Sequence, residues 1–376
     1  MKIVFAGGGT GGHFYPVIAV AQRINKIIAE EKIIGVKLYY LSTEPYDQEA
    51  LFENDIQFEG IKAGKLRTYF SFENFSDIPK TLIGILHALW KMFQIYPDVV
   101  FGKGGYASFP TLLAARILRI PILIHESDSA PGRVNLWAGR FADKIAVSFK
   151  EAADFFPKER IAWTGHPIRL ELEQKADRLE ALDFFKLESN LPTIFVIGGS
   201  LGAELINNTV IDALPRLLKN YQIIHQTGVR NFKTVTSRVP VVVPDATLRS
   251  RYSSIAFLNP LQMKMAAGAA DLIISRAGST LFEISSWGVP SILVPFTNSN
   301  ADHAKKNAFA YAHTGACSVV EEMNMTANIL SSEIDRILGD EKTLARMAAA
   351  AKSFNRIGGA EKIAQELLSI ALSHEK

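Results

Sequence analysis

The run Lys2-Ile3-Val4-Phe5-Ala6 passes straight into the glycine-rich stretch Gly7 to Gly12, and far downstream Thr193-Ile194-Phe195-Val196-Ile197 passes straight into Gly198-Gly199-Ser200-Leu201-Gly202. A short apolar strand, a glycine turn and then a helical pattern open a doubly wound parallel sheet. Finding that opening twice in one chain points to two such sheets. At 376 residues the chain is also long for one hydrophobic core, and two domains of about 150 to 200 residues are expected.

Further strands are predicted at Lys37–Leu41, Asp98–Phe101, Pro121–Ile124 and Lys144–Val147. In the second half they are predicted at Gln222–His225, Ser254–Phe257, Leu272–Ile274 and Ser291–Val294. Helical patterns run over Pro16–Glu31, Ile78–Ile95, Pro110–Leu118 and Leu281–Gly288. The polar, proline-punctuated stretch Thr164–Leu191 reads as the junction. The expected organisation is an α/β chain of two Rossmann-like doubly wound domains facing across a cleft, residues 1–163 and 164–356. A terminal helix, about 357–376, is expected to pack back on the first domain.

Composition narrows the function classes. The net charge of +3 is too small to argue for nucleic acid, though it allows a basic face toward an anionic membrane or phosphates. One cysteine, Cys317, rules out an internal disulfide and suits a reducing compartment. Met1 to Phe5 runs directly into the glycine turn without a leader pattern, and Thr81–Trp90 is about half the length of a bilayer span. A cytoplasmic chain that touches a membrane is expected.

Three glycine turns follow predicted strands: Gly7 to Gly12, Gly102-Lys103-Gly104-Gly105-Tyr106, and Gly198 to Gly202. Each can bring backbone N–H groups close to an anion at a helix start, and three in one chain favour a site that handles phosphate groups. Gly7, Gly9 and Gly12 also spell the dinucleotide-binding spacing G-x-G-x-x-G. An NAD reading requires an acidic residue at the end of the second strand, and only Glu44, somewhat late, is available. His13, directly after the last glycine, stands where a dinucleotide fold presents a small residue.

Gly8-Gly9-Thr10-Gly11-Gly12-His13, Gly104 to Pro110, His125-Glu126, Thr164-Gly165-His166-Pro167-Ile168-Arg169, Gly198 to Ala203, and Ser275-Arg276-Ala277-Gly278 with Glu283 occur in one order. Together they resemble the MurG family of bacterial glycosyltransferases, which add N-acetylglucosamine to the undecaprenyl-linked muramyl-peptide precursor of peptidoglycan. The resemblance runs over nearly the whole chain. It implies the GT-B architecture and a hexosyl transfer from UDP-N-acetylglucosamine that inverts the anomeric carbon. It implies no cofactor and no metal, and the sequence contains no Asp-x-Asp pair. It also implies work at the cytoplasmic face of the cell membrane as a peripheral protein, beside other cell-wall synthesis proteins.

By the same resemblance His13 is the general base. A neutral imidazole at a positive helix end can take the proton of the acceptor's C4 hydroxyl. The implied donor set is Thr10, Gly11, Gly12, Asp128, Arg169, Ser200, Leu258, Gly278, Ser279, Thr280, Glu283, His303 and Ala304. The implied acceptor set is Gly9, Gly104, Gly105, Tyr106, Ser108 and Glu126. Several of these residues also have an ordinary structural use: His13 as a turn cap, Ser200 as an N-cap, Glu283 as a helix-dipole partner, Glu126 in a buried ion pair. Two departures stand out. Ser127-Asp128 replaces the family's Gln-Asn, putting a carboxylate where an amide is common. Asp302-His303-Ala304 replaces Asp-His-Gln, leaving His303 to take over a sugar contact.

Readings outside that assignment remain: a related transferase with another UDP-sugar or acceptor, a non-catalytic nucleotide-sugar binder, and an NAD-dependent oxidoreductase. The last leaves Arg169, Ser200 and Glu283 without a task. In the helical stretch 78–95, Ile78, Leu82, Ile85, Leu86, Leu89 and Phe93 form the stripe expected to face the core. Ile83, Trp90 and Met92 widen that stripe. Lys80 and Lys91, with Lys62, Lys65 and Arg67, would ring an exposed patch if the helix lies on a membrane. A broadly buried helix is the other reading.

Overall fold

The computed structural model describes residues 1–64, 73–198, 203–297, 302–354, 356 and 358–374, with the side chains of 73–78 and 374 outside the description. The chain forms two units, Met1–Leu170 with Arg356–Lys376, and Glu171–Asn355. The expected boundary at 163/164 thus falls inside the first unit.

The first unit holds seven parallel strands: β1 (Lys2–Ala6), β2 (Lys37–Ser42), β3 (Ile56–Gly60), β4 (Val99–Gly102), β5 (Ile122–Glu126), β6 (Lys144–Val147) and β7 (Ile161–Trp163). Their order is β3-β2-β1-β4-β5-β6-β7, with Ile3 registered against Leu38 on one side and Val99 on the other. β1 has neighbours on both sides and helices over both faces. That is why Ile3, Val4, Phe5 and Ala6 form an unbroken apolar run with no solvent exposure.

The second unit repeats the plan with β8 (Thr193–Ile197), β9 (Gln222–Gln226), β10 (Tyr252–Ile255), β11 (Leu272–Ser275), β12 (Ser291–Leu293) and β13 (Cys317–Val319). Their order is β10-β9-β8-β11-β12-β13, all parallel. Both sheets therefore wind outward in two directions from a first strand, the Rossmann arrangement.

Three strands were not expected from sequence: β3, β7 and β13. Each is the edge of its sheet, where one neighbour is missing and burial is incomplete, so the apolar run that marks an inner strand is absent. β10, another edge, begins two residues before its expected position because all four of its residues are only half-buried.

The helix Glu73–Ile95 corrects a second expectation. Leu82, Leu86 and Phe93, assigned to the core stripe, are turned outward with Ile83 and Trp90. These five side chains are 51 % to 68 % exposed. The inner face is instead made by Gly84, Ala88, Met92 and Ile95. Gly84 explains the choice: a Cβ there would stand 1.8 Å from the Lys62 carbonyl oxygen. The small residues let the helix lie directly on backbone, and the larger apolar residues are left on the other side. Ile78, Lys65 and Arg67 lie outside the described side chains.

The helix Gly359–His374 packs along the helix Gly11–Glu31. It sends Ile363, Ala364, Leu367, Leu368 and Ala371 into the same core as Ile3, Phe5, Val17, Ile24 and Leu38. The second unit has a separate core built on Ile194, Val196, Val210, Leu214, Ile274 and Ile334.

Candidate functional site

In each sheet the winding direction reverses beside the first strand, between β1 and β4 and between β8 and β11. Ligands of open α/β sheets bind beyond the carboxyl ends of the strands at such a reversal. The first two glycine turns, Gly7 to Gly12 and Gly102 to Tyr106, stand at the first of these.

In the first unit, β1 ends at Ala6 and the chain turns through Gly7–Thr10 into the helix Gly11–Glu31. Thr10 is its N-cap, and the Thr10 carbonyl accepts from the amides of His13 and Phe14, each at 3.1 Å. Gly11, Gly12 and His13 thus form the first helical turn, with backbone N–H groups at its open end. On the other side of the reversal β4 ends at Gly102, followed by Lys103, Gly104 and Gly105, the short turn Tyr106–Ser108 and the helix Phe109–Leu118. Gly9 and Gly105 both take positive φ, 87° and 78°. A Cβ on Gly9 would stand 2.9 Å from Tyr106 Cε1, and one on Gly105 would stand 3.1 Å from His13 Cδ2. The two turns pack face to face, and only glycine at these positions lets them. Buried Ser108 donates to the Gly105 carbonyl at 2.9 Å, fixing the second turn from within.

His13 lies at the centre of this assembly. Burial, followed by the Lys103 ammonium, pushes its imidazole down to about 4, against Asp128 and a backbone hydrogen bond at Lys103. The ring is therefore neutral near pH 7, the state a general base needs. Among the described residues its Nδ1 is buried without a hydrogen-bond partner.

Glu126 ends β5, and its carboxylate faces inward. One oxygen accepts from the Asp128 amide at 2.9 Å, the other from the Gly132 amide at 3.1 Å and Asn135 Nδ2 at 2.9 Å. Burial and Asp128 raise its proton affinity. All three donors belong to the segment that follows β5, so Glu126 holds Asp128 and Asn135 in place. Asn135 in turn packs under Gly104.

Arg169 belongs to the first unit rather than to the second with most of the implied donor residues. Its guanidinium lies 4.2 Å from the ring centroid of Tyr15, on the same helix as His13. Tyr15 reaches Asp47 at 3.4 Å. The implied donor set is divided: Thr10, Gly11, Gly12, Asp128 and Arg169 in one unit, the rest in the other.

In the second unit β11 ends at Ser275, and Arg276-Ala277-Gly278-Ser279 leads into the helix Thr280–Trp287. Arg276 pairs with Glu322 at 2.6 Å and donates to the Val294 carbonyl at 3.1 Å, pinning this turn to the chain beyond β12. Among the described residues nothing lies within 4 Å of a Cβ built on Gly278. Ser279 stands at the N-cap position, Thr280 begins the helix, and half-buried Glu283 occupies its first turn. Leu258, buried after β10, is held by its amide donating to Gln226 Oε1 at 3.0 Å. His303 and Ala304 begin the helix His303–Ala312, and His303 Nδ1 is buried without a hydrogen-bond partner among the described residues. Ser200 and its turn, Gly199–Gly202, lie outside the described residues.

Sequence patterns alone give no role to Lys103, Tyr15 or Asn135. A lysine between glycines at a strand end is the signal that was available for the first. Tyr15 and Asn135 act through contacts distant in sequence, which no local pattern announces.

Comparison with known proteins agrees with the geometry. Residues 3–147 match the glycosyltransferase family 28 N-terminal domain, and residues 193–366 match the glycosyltransferase family 28 C-terminal domain. A Listeria welshimeri protein is 35 % identical over 373 residues, 98 % of this chain and 99 % of its own length. It is named UDP-N-acetylglucosamine–N-acetylmuramyl-(pentapeptide) pyrophosphoryl-undecaprenol N-acetylglucosamine transferase. A protein of the same name from Halothermothrix orenii is 36 % identical over 95 % of both chains. The crystal structure of Acinetobacter baumannii MurG superposes with a TM-score of 0.74 at 26 % identity, covering 98 % of this chain and 99 % of that one. With both of its units matched in this way, the chain belongs to glycosyltransferase family 28 and, within it, to the MurG transferases.

Proposed function

We propose that this protein transfers N-acetylglucosamine from UDP-N-acetylglucosamine to the C4 hydroxyl of undecaprenyl-diphospho-N-acetylmuramyl-peptide, the lipid I to lipid II step. The observation that carries this reading is end-to-end kinship with transferases of that name. In the proposed step His13 takes the C4 proton as that oxygen bonds to the anomeric carbon. The bond from that carbon to the diphosphate breaks on the opposite face, so configuration inverts and UDP departs. Amides at the glycine turns, Ser200 and Arg169 offset the leaving diphosphate's charge, without a metal. Glu283 accepts from the ribose hydroxyls, while His303 and Ala304 face the sugar. Gly9, Gly104, Gly105, Tyr106 and Ser108 shape the acceptor side, with Glu126 behind them holding the loop.

UDP release and product mass, measured with several UDP-sugars and a short-chain lipid acceptor, test the reading. UDP-N-acetylglucosamine should be used and the product should gain one N-acetylhexosamine. Turnover of another UDP-sugar alone would replace the donor assignment. No release with any sugar would remove the transferase reading.

No helix among the described residues is long and apolar enough to cross a membrane. The reading for the lipid acceptor is a peripheral contact through the outer face of the helix Glu73–Ile95. Leu82, Ile83, Leu86, Trp90 and Phe93, half to two-thirds exposed, would each gain about 1–2 kcal/mol on leaving water. Lys62 and Lys80 are exposed nearby, and Lys91 is paired with Glu59 at 2.9 Å. Apolar insertion is thus the larger contribution and anionic attraction the smaller one.

A further inference from the structure

Lys103 follows β4 at the sheet reversal and is 1 % exposed. An isolated ammonium in such a place costs several kcal/mol, so its partners matter. Lys103 Nζ donates to Ser127 Oγ. The Ser127 hydroxyl lies 3.3 Å from His166 Nδ1, and the Ser148 hydroxyl bridges His166 Nδ1 and His125 Nε2 at 3.1 Å each. Glu126 and Asp128 supply the opposing charge. Lys103 is also bound to the first glycine turn: its amide donates to the Ala6 carbonyl at 2.8 Å, and its Cβ stands 3.2 Å from where a Gly7 Cβ would be. The Lys103 backbone is therefore fixed against the turn that carries His13, while Ser127 holds its ammonium.

We propose that Lys103 is a positioning residue for the transfer step, its buried ammonium a fixed charge between the two glycine turns that acts on His13 until an anionic diphosphate reaches the Gly9–Gly12 turn and offsets it. The inference rests on the transferase reading for its substrate but not for its electrostatics. The charged groups acting on His13 are Lys103 from the turn after β4 and Asp128 from the loop after β5. Glu126, at the end of β5, acts on Lys103. On the helix of His13 itself, Tyr15 faces Arg169 and Asp47. A cation beside an enclosed imidazole disfavours its protonation, and a bound anion offsets that cation. Substrate arrival thus strengthens the base at the moment a proton must be taken, where catalysis gains most from proton affinity nearer the working pH.

The test is a direct titration of His13 by NMR in the full chain labelled at histidine Cε1, its signal among the eight histidines assigned with His13→Gln. Lys103→Met should raise the His13 midpoint by one pH unit or more, a tenfold gain in proton affinity. Asp128→Asn should lower it, and Lys103→Arg should leave it near the wild-type value. The acid limb of kcat/KM should move with the midpoint, which a merely structural lysine would not cause. Adding inorganic pyrophosphate to the wild-type chain should raise the midpoint, and Lys103→Gln, which can keep the bond to Ser127, replaces Lys103→Met and should raise the midpoint likewise if that variant fails to fold. A midpoint unmoved by pyrophosphate, or unmoved in folded Lys103→Met, overturns the proposal. If the wild-type chain releases no UDP while the titration behaves as expected, the substrate reading fails and the electrostatic coupling stands.

Discussion

The Gly105 α-carbon is so close to the His13 ring that a Cβ added to it would stand 3.1 Å from Cδ2 and 3.3 Å from Nε2. The same atom would be 3.2 Å from the Gly8 carbonyl oxygen, and the backbone there has φ of +78°. Gly105→Ala should therefore displace the base and strain the turn together. The expected result is a loss of about 1 kcal/mol or more in stability and a fall in kcat of about 100-fold, as for a small misplacement of a reacting group. Denaturant melts and steady-state UDP release on the same sample measure both.

His13→Gln removes the proposed proton acceptor while keeping a polar side chain of similar reach. Turnover should drop by about 10²–10⁴-fold, with UDP-N-acetylglucosamine binding by calorimetry changed little. A rate within a few-fold of wild type would assign the proton to another group.

Three buried histidines and the half-buried His13 give stability a distinctive pH dependence. Burial pushes His225 down to about 3 and His13 to about 4, and lowers His125 and His166 well below the usual range. Unfolded, all four would take up protons near pH ~6.5. The unfolded chain then binds more protons than the folded one below that value, so stability is full above about pH 7 and falls as pH drops below about 6.5. Each tenfold loss of proton affinity on folding weakens the folded state by about 1.4 kcal/mol once the pH lies below both midpoints. Glu126, whose proton affinity is raised, works the other way but is one group against four. Urea melts at pH 7 and pH 5 should differ markedly. His225→Gln, which loses bonds to Asn207 at 2.9 Å and Tyr252 at 2.8 Å, should be less stable at pH 7 and show a shallower slope. An unchanged slope would assign the acid sensitivity to other groups.

The two faces of the helix Glu73–Ile95 should respond oppositely to substitution. Leu86→Glu with Phe93→Glu, on the exposed face, should leave the melting temperature nearly unchanged but abolish flotation with phosphatidylglycerol vesicles. Gly84→Ala, against the Lys62 carbonyl, should lower stability by about 1–3 kcal/mol and leave the surviving folded fraction able to float. Flotation retained by the double variant would remove this face as the membrane contact.

His303 and Ala304 test the sugar end of the donor. His303→Ala should raise KM for UDP-N-acetylglucosamine with kcat less affected, the pattern of lost uniform binding. Ala304→Gln should alter the preference between UDP-sugars differing at C4. KM unaffected by His303→Ala would place the sugar elsewhere.

What the sequence made legible follows from where residues sit in the sheets. β1 and β8 are flanked on both sides, and their continuous apolar runs marked them without ambiguity. β3, β7 and β13 have one neighbour each, and Ile56-Gln57-Phe58-Glu59-Gly60 alternates in the manner of a loop as readily as of an edge strand. The helix Glu73–Ile95 was recognised but turned the wrong way. It carries apolar residues on two faces, and which one is buried was decided by the missing side chain of Gly84 beside a carbonyl, which hydrophobicity cannot report.

At the site, the glycine turns and His13 were legible because their geometry is local: a strand end, a positive φ, a helix start. Lys103 was not. Its character comes from Ser127, Asp128 and Glu126, more than twenty residues away in sequence and brought beside it only by the pairing of β4 with β5.

The helix Gly359–His374 completes the core of the first unit, although it follows the whole of the second unit in the chain. The second unit is thus an insertion, entered after Leu170 and left before Arg356. A chain emerging from the ribosome can close the core of the inserted unit while the one begun first still lacks a wall. The half that carries His13 would be finished last, leaving the apolar surface of its early strands and helices in need of protection until the final turns are made.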